Sequence, residues 1–356
     1  MSLLIFLLHK EQKLFIMLDF TNPHRRLNPL TGEWVLVSPH RAKRPWKGTV
    51  EASQAQDLPD YDPACYLCPG NVRTNGETNP AYTDTLVFTN DHSAILADPS
   101  GDEFTQGHEL IHARQERGIC KVICYSPSHK KTLAELPVEH IRHVVQTWTQ
   151  EYKTIGANDF ISNVQIFENK GPLMGASSPH PHGQIWANEH LPTIILNEQT
   201  KQAAYFSQHN SQLLVDYAQL EQQNRERIII QNESFVVLVP FWATWPFETM
   251  IIPKTHKSSL VDLNETEQSH LATILKDITS RYDTLFATPF PYSMGIHQAP
   301  TDKKDHPEWQ MHIHFYPPLL RSATIKKYFV GYEMFAEAQR DINPETAAST
   351  LRDLHE

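Results

Sequence analysis

The sequence has little of what several classes of protein require. Only four of its 356 residues are cysteines, Cys65, Cys68, Cys120 and Cys124, and they are too few to cross-link a chain of this length. The one membrane-like segment, Leu3–Leu8, covers six residues, too short for a transmembrane helix or for the apolar core of a secretion signal. We therefore expect a protein of the reducing cytoplasm, with no targeting signal and no membrane span.

Positive charge is also in short supply, because 31 lysines and arginines stand against 41 aspartates and glutamates and the net charge is -10. This balance argues against nucleic acid or an anionic membrane as the main partner. Apolar residues make up 40% and charged residues 20%, which is typical of a globular protein. Histidine is abundant instead, with 20 copies. Because histidine binds metals and titrates near neutral pH, the histidine positions guide the search for function.

The start of the chain carries one hypothesis of its own. Met17 opens a polar segment that is a more ordinary N-terminus than the apolar stretch before it. We hypothesise that residues 1–16 are a non-native extension produced by upstream translation.

An internal repeat organises the rest of the sequence. His129-Lys-Lys-Thr-Leu-Ala-Glu-Leu136 resembles His256-Lys-Ser-Ser-Leu-Val-Asp-Leu263, with one histidine, one lysine and two leucines in register. Each copy follows an apolar, strand-like run and precedes a predicted helix. The first helix is expected to start near Pro137 and the second at Asn264, with a capping glutamate at Glu267.

Each half then reaches a His-x-His motif in a β-rich stretch, His180-Pro-His182 in the first and His312-Ile-His314 in the second. The pattern predicts an α+β fold of two related repeats, residues 17–192 and 193–356, with mostly antiparallel sheet and packed helices. A polar, glutamine-rich stretch over 197–226 predicts one long exposed linking helix at the start of the second half.

Cys65-Tyr-Leu-Cys68 has the spacing of two thiolates that grip one tetrahedral ion. His129 and His180 are the candidates to complete a Cys2His2 site. A redox pair and unligated loop thiols are the alternatives, and without a thioredoxin-like setting the spacing favours metal. Cys120 and Cys124 are interpreted as small core residues.

The segment His180-Pro-His-Gly-Gln-Ile-Trp186 is the sharpest signal in the sequence. Residues two apart on a strand share a face, so both histidines point the same way, and the glycine that follows them allows close approach of a phosphate. One histidine could bind metal while the other attacks phosphorus as a neutral imidazole. For an isolated His-x-His, packing or ligation by both histidines would be preferred, but the flanking proline, glycine and glutamine favour the catalytic reading.

A second candidate metal set combines three imidazoles with one carboxylate, a donor set that suits zinc or iron: Glu198, His297, His312 and His314. Solvent-facing histidines remain the alternative for His312 and His314.

Several longer motifs occur together: Ser38–Trp46, Cys65–Cys68, Phe88–Asp91, Phe167–Gly171, His180–Trp186 and His312–Glu337. From His24 to Arg340 the sequence resembles the galactose-1-phosphate uridylyltransferases, a two-repeat family of the histidine triad superfamily. The resemblance implies ping-pong exchange of UMP between UDP-glucose and galactose 1-phosphate, yielding glucose 1-phosphate and UDP-galactose, by a homodimer.

The resemblance also assigns roles to residues. It implies that His182 is the nucleophile and that Gln184 holds a phosphoryl oxygen. Phosphate contacts fall on Asn169 and Ser177, and uridine contacts on Asn90 and Asp91. The implied sugar-nucleotide residues, shaped across a dimer interface, are Arg41, Arg44, Lys327, Tyr328, Val330 and Gln339. Cys65, Cys68, His129 and His180 match a structural zinc site, and Glu198, His297, His312 and His314 match a second site with iron or zinc.

Two positions depart from the family pattern: His92 stands where an aromatic residue beside the uracil is expected, and Ala176 where cysteine is frequent. A related nucleotidyltransferase or phosphorylase acting on ADP-sugars or dinucleoside polyphosphates is the nearest alternative function. The Asn90-Asp91 pair favours the uridine-hexose reading. A metal-containing binding protein with a dead active site would be expected to lack His182 or Gln184.

Overall fold

The computed structural model describes residues 19–43, 58–98 and 105–354. The hypothesis about residues 1–16 and the predicted sugar-nucleotide residue Arg44 lie outside these ranges. No helix in the described part of the chain is long and apolar enough to cross a membrane.

The described residues contain sixteen strands and six α-helices. Their bounds are β1 His24–Leu27, β2 Trp34–Val37, β3 Leu86–Thr89, β4 Thr105–His108, β5 Ile111–Arg114, β6 Gly118–Cys124, β7 Asn163–Lys170, β8 His182–Asn188, β9 Ile228–Gln231, β10 Phe235–Leu238, β11 Thr249–Pro253, β12 Tyr292–His297, β13 His312–Tyr316, β14 Leu319–Ser322, β15 Ile325–Lys326 and β16 Ala338–Arg340. The α-helices are α1 Val138–Gly156, α2 Thr193–His209, α3 Leu213–Asn224, α4 Glu265–Leu285, α5 Tyr332–Phe335 and α6 Pro344–Arg352.

Nine of these strands form one sheet in the order β3-β6-β8-β7-β12-β13-β11-β10-β9. Every pairing in it is antiparallel. Strands from the first part of the chain fill one end and strands from the second part fill the other, and they meet where β7 pairs with β12. The predicted α+β class with mostly antiparallel sheet is confirmed.

Helices α1 and α4 pack against each other over the apolar face of this sheet. Helix α1 follows Pro137 and buries Trp148 and Tyr152, while Asn264 caps α4 by accepting a hydrogen bond from the Glu267 N–H. Both predicted helix starts are therefore confirmed. The apolar stripes of the two helices fix which face of the sheet becomes core and which stays open.

The expectation of one long exposed linking helix over 197–226 is wrong. The structure has two helices, α2 and α3, and Asn210 ends the first in the left-handed conformation at φ 52°. Asparagine tolerates that region better than most residues, so it can stop a helix without glycine. The segment is also not fully exposed, because Glu198, Gln202 and Leu214 are buried.

The pleat of β8 divides its residues between the two faces. His182, Gln184 and Trp186 lie on the open face. Gly183, Ile185 and Ala187 are buried beneath the helices. Strand β6 runs beside β8, with Cys124 opposite His182 and Cys120 opposite Trp186. Both cysteines are buried, as predicted.

Gly183 has no room for a side chain, because a Cβ there would lie 2.5 Å from the Tyr125 hydroxyl oxygen and 3.1 Å from the Phe167 carbonyl oxygen. We predict that Gly183→Ala lowers the free energy of unfolding by about 1–3 kcal/mol through overpacking. Gly295→Ala on β12 is the matched control, since its Cβ would meet only the Gln165 amide nitrogen at 3.4 Å. Equal denaturant midpoints for the two variants would contradict this account.

Candidate active site and metal centres

Four buried side chains converge where the Cys65–Cys68 turn meets the loop after β6 and the loop before β8. The donor atoms of Cys65, Cys68, His129 and His180 all lie within 4.8 Å of one another. Cys68 Sγ is 3.6 Å from His129 Nδ1 and 3.5 Å from His180 Nδ1. Tetrahedral zinc would hold thiolate and imidazole ligands about 3.5 Å apart, given its bond lengths. The set fits one closed four-coordinate ion.

Neighbouring groups prepare these donors. The His180 Nε2–H donates to the Ser126 carbonyl oxygen at 2.9 Å, which leaves the lone pair of Nδ1 facing the cysteines. Burial lowers the pKa of His180 to about 4, so its ring is neutral near pH 7, as a ligand must be. Burial also raises the pKa of Cys68 to about 11, and a bound cation would reverse that effect. The side chains of Asn71 and Asn79 donate to backbone carbonyls of Cys65 and Cys68 and brace the turn.

A second centre lies where one end of the β12–β13 pair meets α2. His297 lies opposite His312 in the strand register, and Glu198 reaches both from α2. The His297 Nδ1 atom is 2.9 Å from Glu198 Oε2, and His312 Nε2 is 3.5 Å from the same oxygen. The ring centroids of His297, His312 and His314 are 4.9–5.0 Å apart.

The electrostatics of this second centre also fit a cation. His312 Nε2 and His314 Nδ1 are buried and make no hydrogen bond to any residue that the structure describes, although His312 Nε2 lies near Glu198. Burial would raise the pKa of Glu198, but His297 and His312 outweigh it and hold that pKa well below its usual range. Burial lowers the pKa of His314 well below its usual value. A metal ion would satisfy both the buried Glu198 carboxylate and the imidazole nitrogens of His312 and His314 that make no hydrogen bond.

His182 stands on the open face of β8, two residues after the metal-site histidine. Its Nδ1 lies 2.7 Å from the carbonyl oxygen of His180. A carbonyl only accepts, so Nδ1 carries the proton and Nε2 keeps a lone pair directed away from the backbone. Burial lowers the pKa of His182, which favours the neutral ring. The geometry therefore offers a neutral imidazole nitrogen as a nucleophile.

Two amide side chains lie on the same face of the sheet as His182. Gln184 follows two residues later on β8, and the Trp186 indole N–H donates to its Oε1 at 3.2 Å. Asn169 lies on the open face of the adjacent β7, and the Ser293 hydroxyl from β12 donates to its Oδ1 at 2.7 Å. Ser177 is exposed in the loop that leads to His180. His182, Gln184 and Asn169 thus lie on the same face of two adjacent strands.

Asn90 and Asp91 follow strand β3 at the end of the sheet. The Asn90 Oδ1 accepts the His92 N–H at 2.9 Å. Asp91 is held by two residues of the short hairpin after the cysteine turn, with Arg73 Nη1 at 3.3 Å and Thr74 Oγ1 at 3.1 Å from its carboxylate oxygens. The Asp91 side chain is only 6% exposed, so its orientation is fixed before any ligand binds.

The sugar-nucleotide residues predicted from the resemblance form a separate group. Lys327 Nζ donates to the Gln339 carbonyl oxygen at 2.5 Å, and Arg41 pairs with Asp341 at 3.1 Å. Tyr328 and Val330 are exposed. Within the part of the chain that the structure describes, no hydrogen bond or ion pair joins this group to His182 or Gln184.

Two family models match the chain and together span nearly all of it. The model for the N-terminal domain of galactose-1-phosphate uridyl transferase matches residues 14–192, and the one for the C-terminal domain matches residues 198–356. The chain belongs to the galactose-1-phosphate uridylyltransferase family. The resemblance seen in the sequence motifs is thereby confirmed.

Curated members of the family are similar over almost their whole length. The galactose-1-phosphate uridylyltransferase of Haemophilus influenzae is 51% identical over 335 residues, covering 94% of this chain and 95% of that protein. The enzyme of the same name from Rattus norvegicus is 47% identical, covering 94% and 88%.

Solved structures agree on the fold. A structure described as uridylyltransferase has a TM-score of 0.72 at 26% identity and covers 92% of this chain and 97% of its own. An ADP-glucose phosphorylase from Arabidopsis thaliana has a TM-score of 0.74 at 23% identity and covers 94% and 100%. At that identity the second likeness concerns the fold alone.

Sequence reasoning missed the residues that hold the site residues in place. Arg73 and Thr74 are 18 and 17 positions from the Asp91 they contact, and no spacing rule connects such distant positions. Ser293 reaches Asn169 only because β12 pairs with β7. The Trp186–Gln184 contact could have been found, since the two residues share a strand face.

The first metal centre generates a prediction about metal content and stability together. Cys68→Ser removes the sulfur that lies next to both His129 and His180. The variant should therefore lose about one tightly held metal ion per chain and unfold at a lower temperature. Elemental analysis and thermal denaturation provide the two measurements. Cys120→Ser changes a buried cysteine outside the cluster and should keep its metal. Unchanged metal content in Cys68→Ser would rule out this centre.

Proposed function

We propose that the chain transfers UMP from UDP-glucose to galactose 1-phosphate by a ping-pong route through a covalent adduct on His182. The names of its relatives at 47–51% identity support the reaction. The observation that carries the mechanism is the orientation of the His182 ring, whose Nδ1 lies 2.7 Å from the His180 carbonyl oxygen and whose Nε2 therefore faces the open side of β8.

In the first half-reaction, His182 Nε2 forms a bond to the α-phosphorus of UDP-glucose. The bond from that phosphorus to the bridging oxygen breaks, and glucose 1-phosphate leaves with the electron pair. In the second half-reaction a phosphate oxygen of galactose 1-phosphate attacks the same phosphorus, the N–P bond breaks, and neutral His182 returns. No net proton is consumed in either direction.

Gln184 suits this chemistry because an amide cannot supply a proton and this leaving group needs none. A sugar phosphate has a second pKa of about 6, so it departs largely as the anion. The Gln184 NH2 group can still stabilise negative charge on the phosphoryl oxygens in the transition state.

The remaining substrate contacts follow from position and from the family. Asn169 and Ser177 would hold phosphate oxygens near His182, and Asn90 and Asp91 would hold the uridine. A further group would contact the sugar nucleotide: Arg41, Arg44, Lys327, Tyr328, Val330 and Gln339. The family resemblance implies that this group acts across a dimer interface, so a second subunit would bring it to the site.

Two metals complete the proposal. Cys65, Cys68, His129 and His180 would hold zinc in a closed structural site, since two thiolates and two imidazoles leave no open position. Glu198, His297, His312 and His314 would hold iron or zinc. When bound, each ion supplies rigidity to the loops that carry its ligands.

We further propose a cytoplasmic homodimer whose chain divides at about residue 192 into a catalytic first half and a second half. The division is supported by family models that end at 192 and begin at 198. The dimer is supported by the apolar side chains exposed over 328–335, among them Tyr328, Val330 and Phe335.

With UDP-glucose alone, the protein should gain the mass of one UMP on His182 and release glucose 1-phosphate, because the first half-reaction needs no acceptor. Intact-mass analysis and peptide mapping locate the adduct, which should be labile in acid and stable in base as a phosphoramidate is. His182→Asn should form none, whereas His209→Asn, an exposed histidine at the end of α2, should behave as wild type. Wild-type rates of UMP exchange by His182→Asn would remove His182 from the mechanism.

Comparison of UDP-glucose with ADP-glucose as donors separates the proposal from the ADP-sugar alternative. UDP-glucose should give the faster adduct formation at equal concentration. Faster turnover of ADP-glucose would contradict the proposal and favour an enzyme that acts on ADP-sugars.

Gln184→His tests whether the amide favours transfer over hydrolysis. Galactose 1-phosphate brings an anionic oxygen to the UMP-enzyme, whereas water must lose a proton, and an imidazole at position 184 could take it. The variant should therefore exchange sugar phosphates more slowly and release relatively more free UMP. The measured quantity is the ratio of the two rates. A ratio equal to that of the wild type, in folded and metal-loaded protein, would assign exclusion of water to other residues.

A further inference from the structure

Gln184 and Trp186 make a direct contact that constrains the catalytic amide. The indole Nε1 of Trp186 lies 3.2 Å from Gln184 Oε1, and both side chains stand on the open face of β8. An indole N–H donates and never accepts, so the amide atom that faces it must be oxygen. The NH2 end of Gln184 is therefore turned away from Trp186 and toward the rest of the open face.

The terminal torsion of a glutamine is broad and roughly two-fold, so an unconstrained amide would present oxygen or NH2 with similar ease. Only the NH2 end can donate to phosphoryl oxygens, because an amide oxygen beside them would be repelled. We propose that Trp186 is a positioning residue whose indole N–H selects the amide orientation of Gln184 that serves UMP transfer. This inference rests on the proposed function of Gln184.

The surroundings of Trp186 hold the indole where this role requires it. Its ring meets the Phe167 ring edge to face, with centroids 5.8 Å apart and planes at 78°. Phe167 lies opposite Gln184 in the β7–β8 register, so the aromatic pair flanks the amide. Trp186 is nonetheless 37% exposed. A ring held at the surface contributes less to core packing than a buried one. The N–H is therefore the feature of Trp186 that another aromatic side chain would lack.

Trp186→Phe keeps an aromatic ring, removes the N–H donor and also makes the ring smaller. The loss of one neutral hydrogen bond should slow UMP-adduct formation from UDP-glucose about three- to tenfold in single-turnover experiments. Trp34→Phe, a tryptophan on β2 that is 43% exposed, is the matched control and should leave the rate unchanged.

A double-mutant cycle separates positioning from packing. Gln184→Met keeps an unbranched side chain of similar length and has no amide to orient, so Trp186→Phe should change the rate less than twofold in that background. The same fold-change in both backgrounds would show that Trp186 acts by packing and would overturn the proposal. No effect of Trp186→Phe in the wild-type background would overturn it as well.

A measurement on the resting protein keeps this test separate from the proposed function. The Trp186 indole N–H resonance, identified by its disappearance in Trp186→Phe, should shift in Gln184→Met because its acceptor is gone. It should stay nearly in place in Gln184→Glu, which retains an oxygen acceptor. An indole resonance indifferent to Gln184→Met would exclude the hydrogen bond, whether or not the protein forms a UMP adduct.

Discussion

The carbonyl oxygen of His180 is the point on which the site depends. The His180 ring is held between the cysteine sulfurs and the Ser126 carbonyl, and this anchors the backbone just before β8. The same residue's carbonyl accepts the Nδ1–H of His182 at 2.7 Å and so fixes the tautomer of the proposed nucleophile. One residue therefore links the Cys2His2 cluster to the His182 ring, so loosening the cluster would disturb the orientation of that ring.

The two repeats place the same His-x-His motif in different surroundings. Each presents a His-x-His motif on the same sheet, but in the first half the later histidine, His182, is directed to the open face. In the second half, His312 and His314 both turn into a buried cluster that Glu198 completes. The second half pairs β12 with β7 and supplies Ser293 to Asn169, so the candidate site draws on both halves of the chain.

The sequence was enough to predict the fold class, both helix starts and the convergence of both donor sets, because spacing along a strand or a turn is local information. Interactions between distant segments could not be read in this way. The contact of Arg73 with Asp91 and that of Ser293 with Asn169 arise from tertiary packing. The break at Asn210 was missed for a different reason, because the composition of the 197–226 segment is helical throughout and a single left-handed residue does not alter it.

Register connects the core to the chemistry. Side chains of β8 alternate between faces, so a slip of one residue would bury His182 and Gln184 and expose Gly183. The buried face prevents this slip, because the Tyr125 hydroxyl occupies the space that any side chain at position 183 would need. Tyr125 is itself fully buried, edge to face with Trp148 of α1 at 5.8 Å. Helix packing on one side of the sheet thus determines which side chains of β8 lie on the open face on the other side.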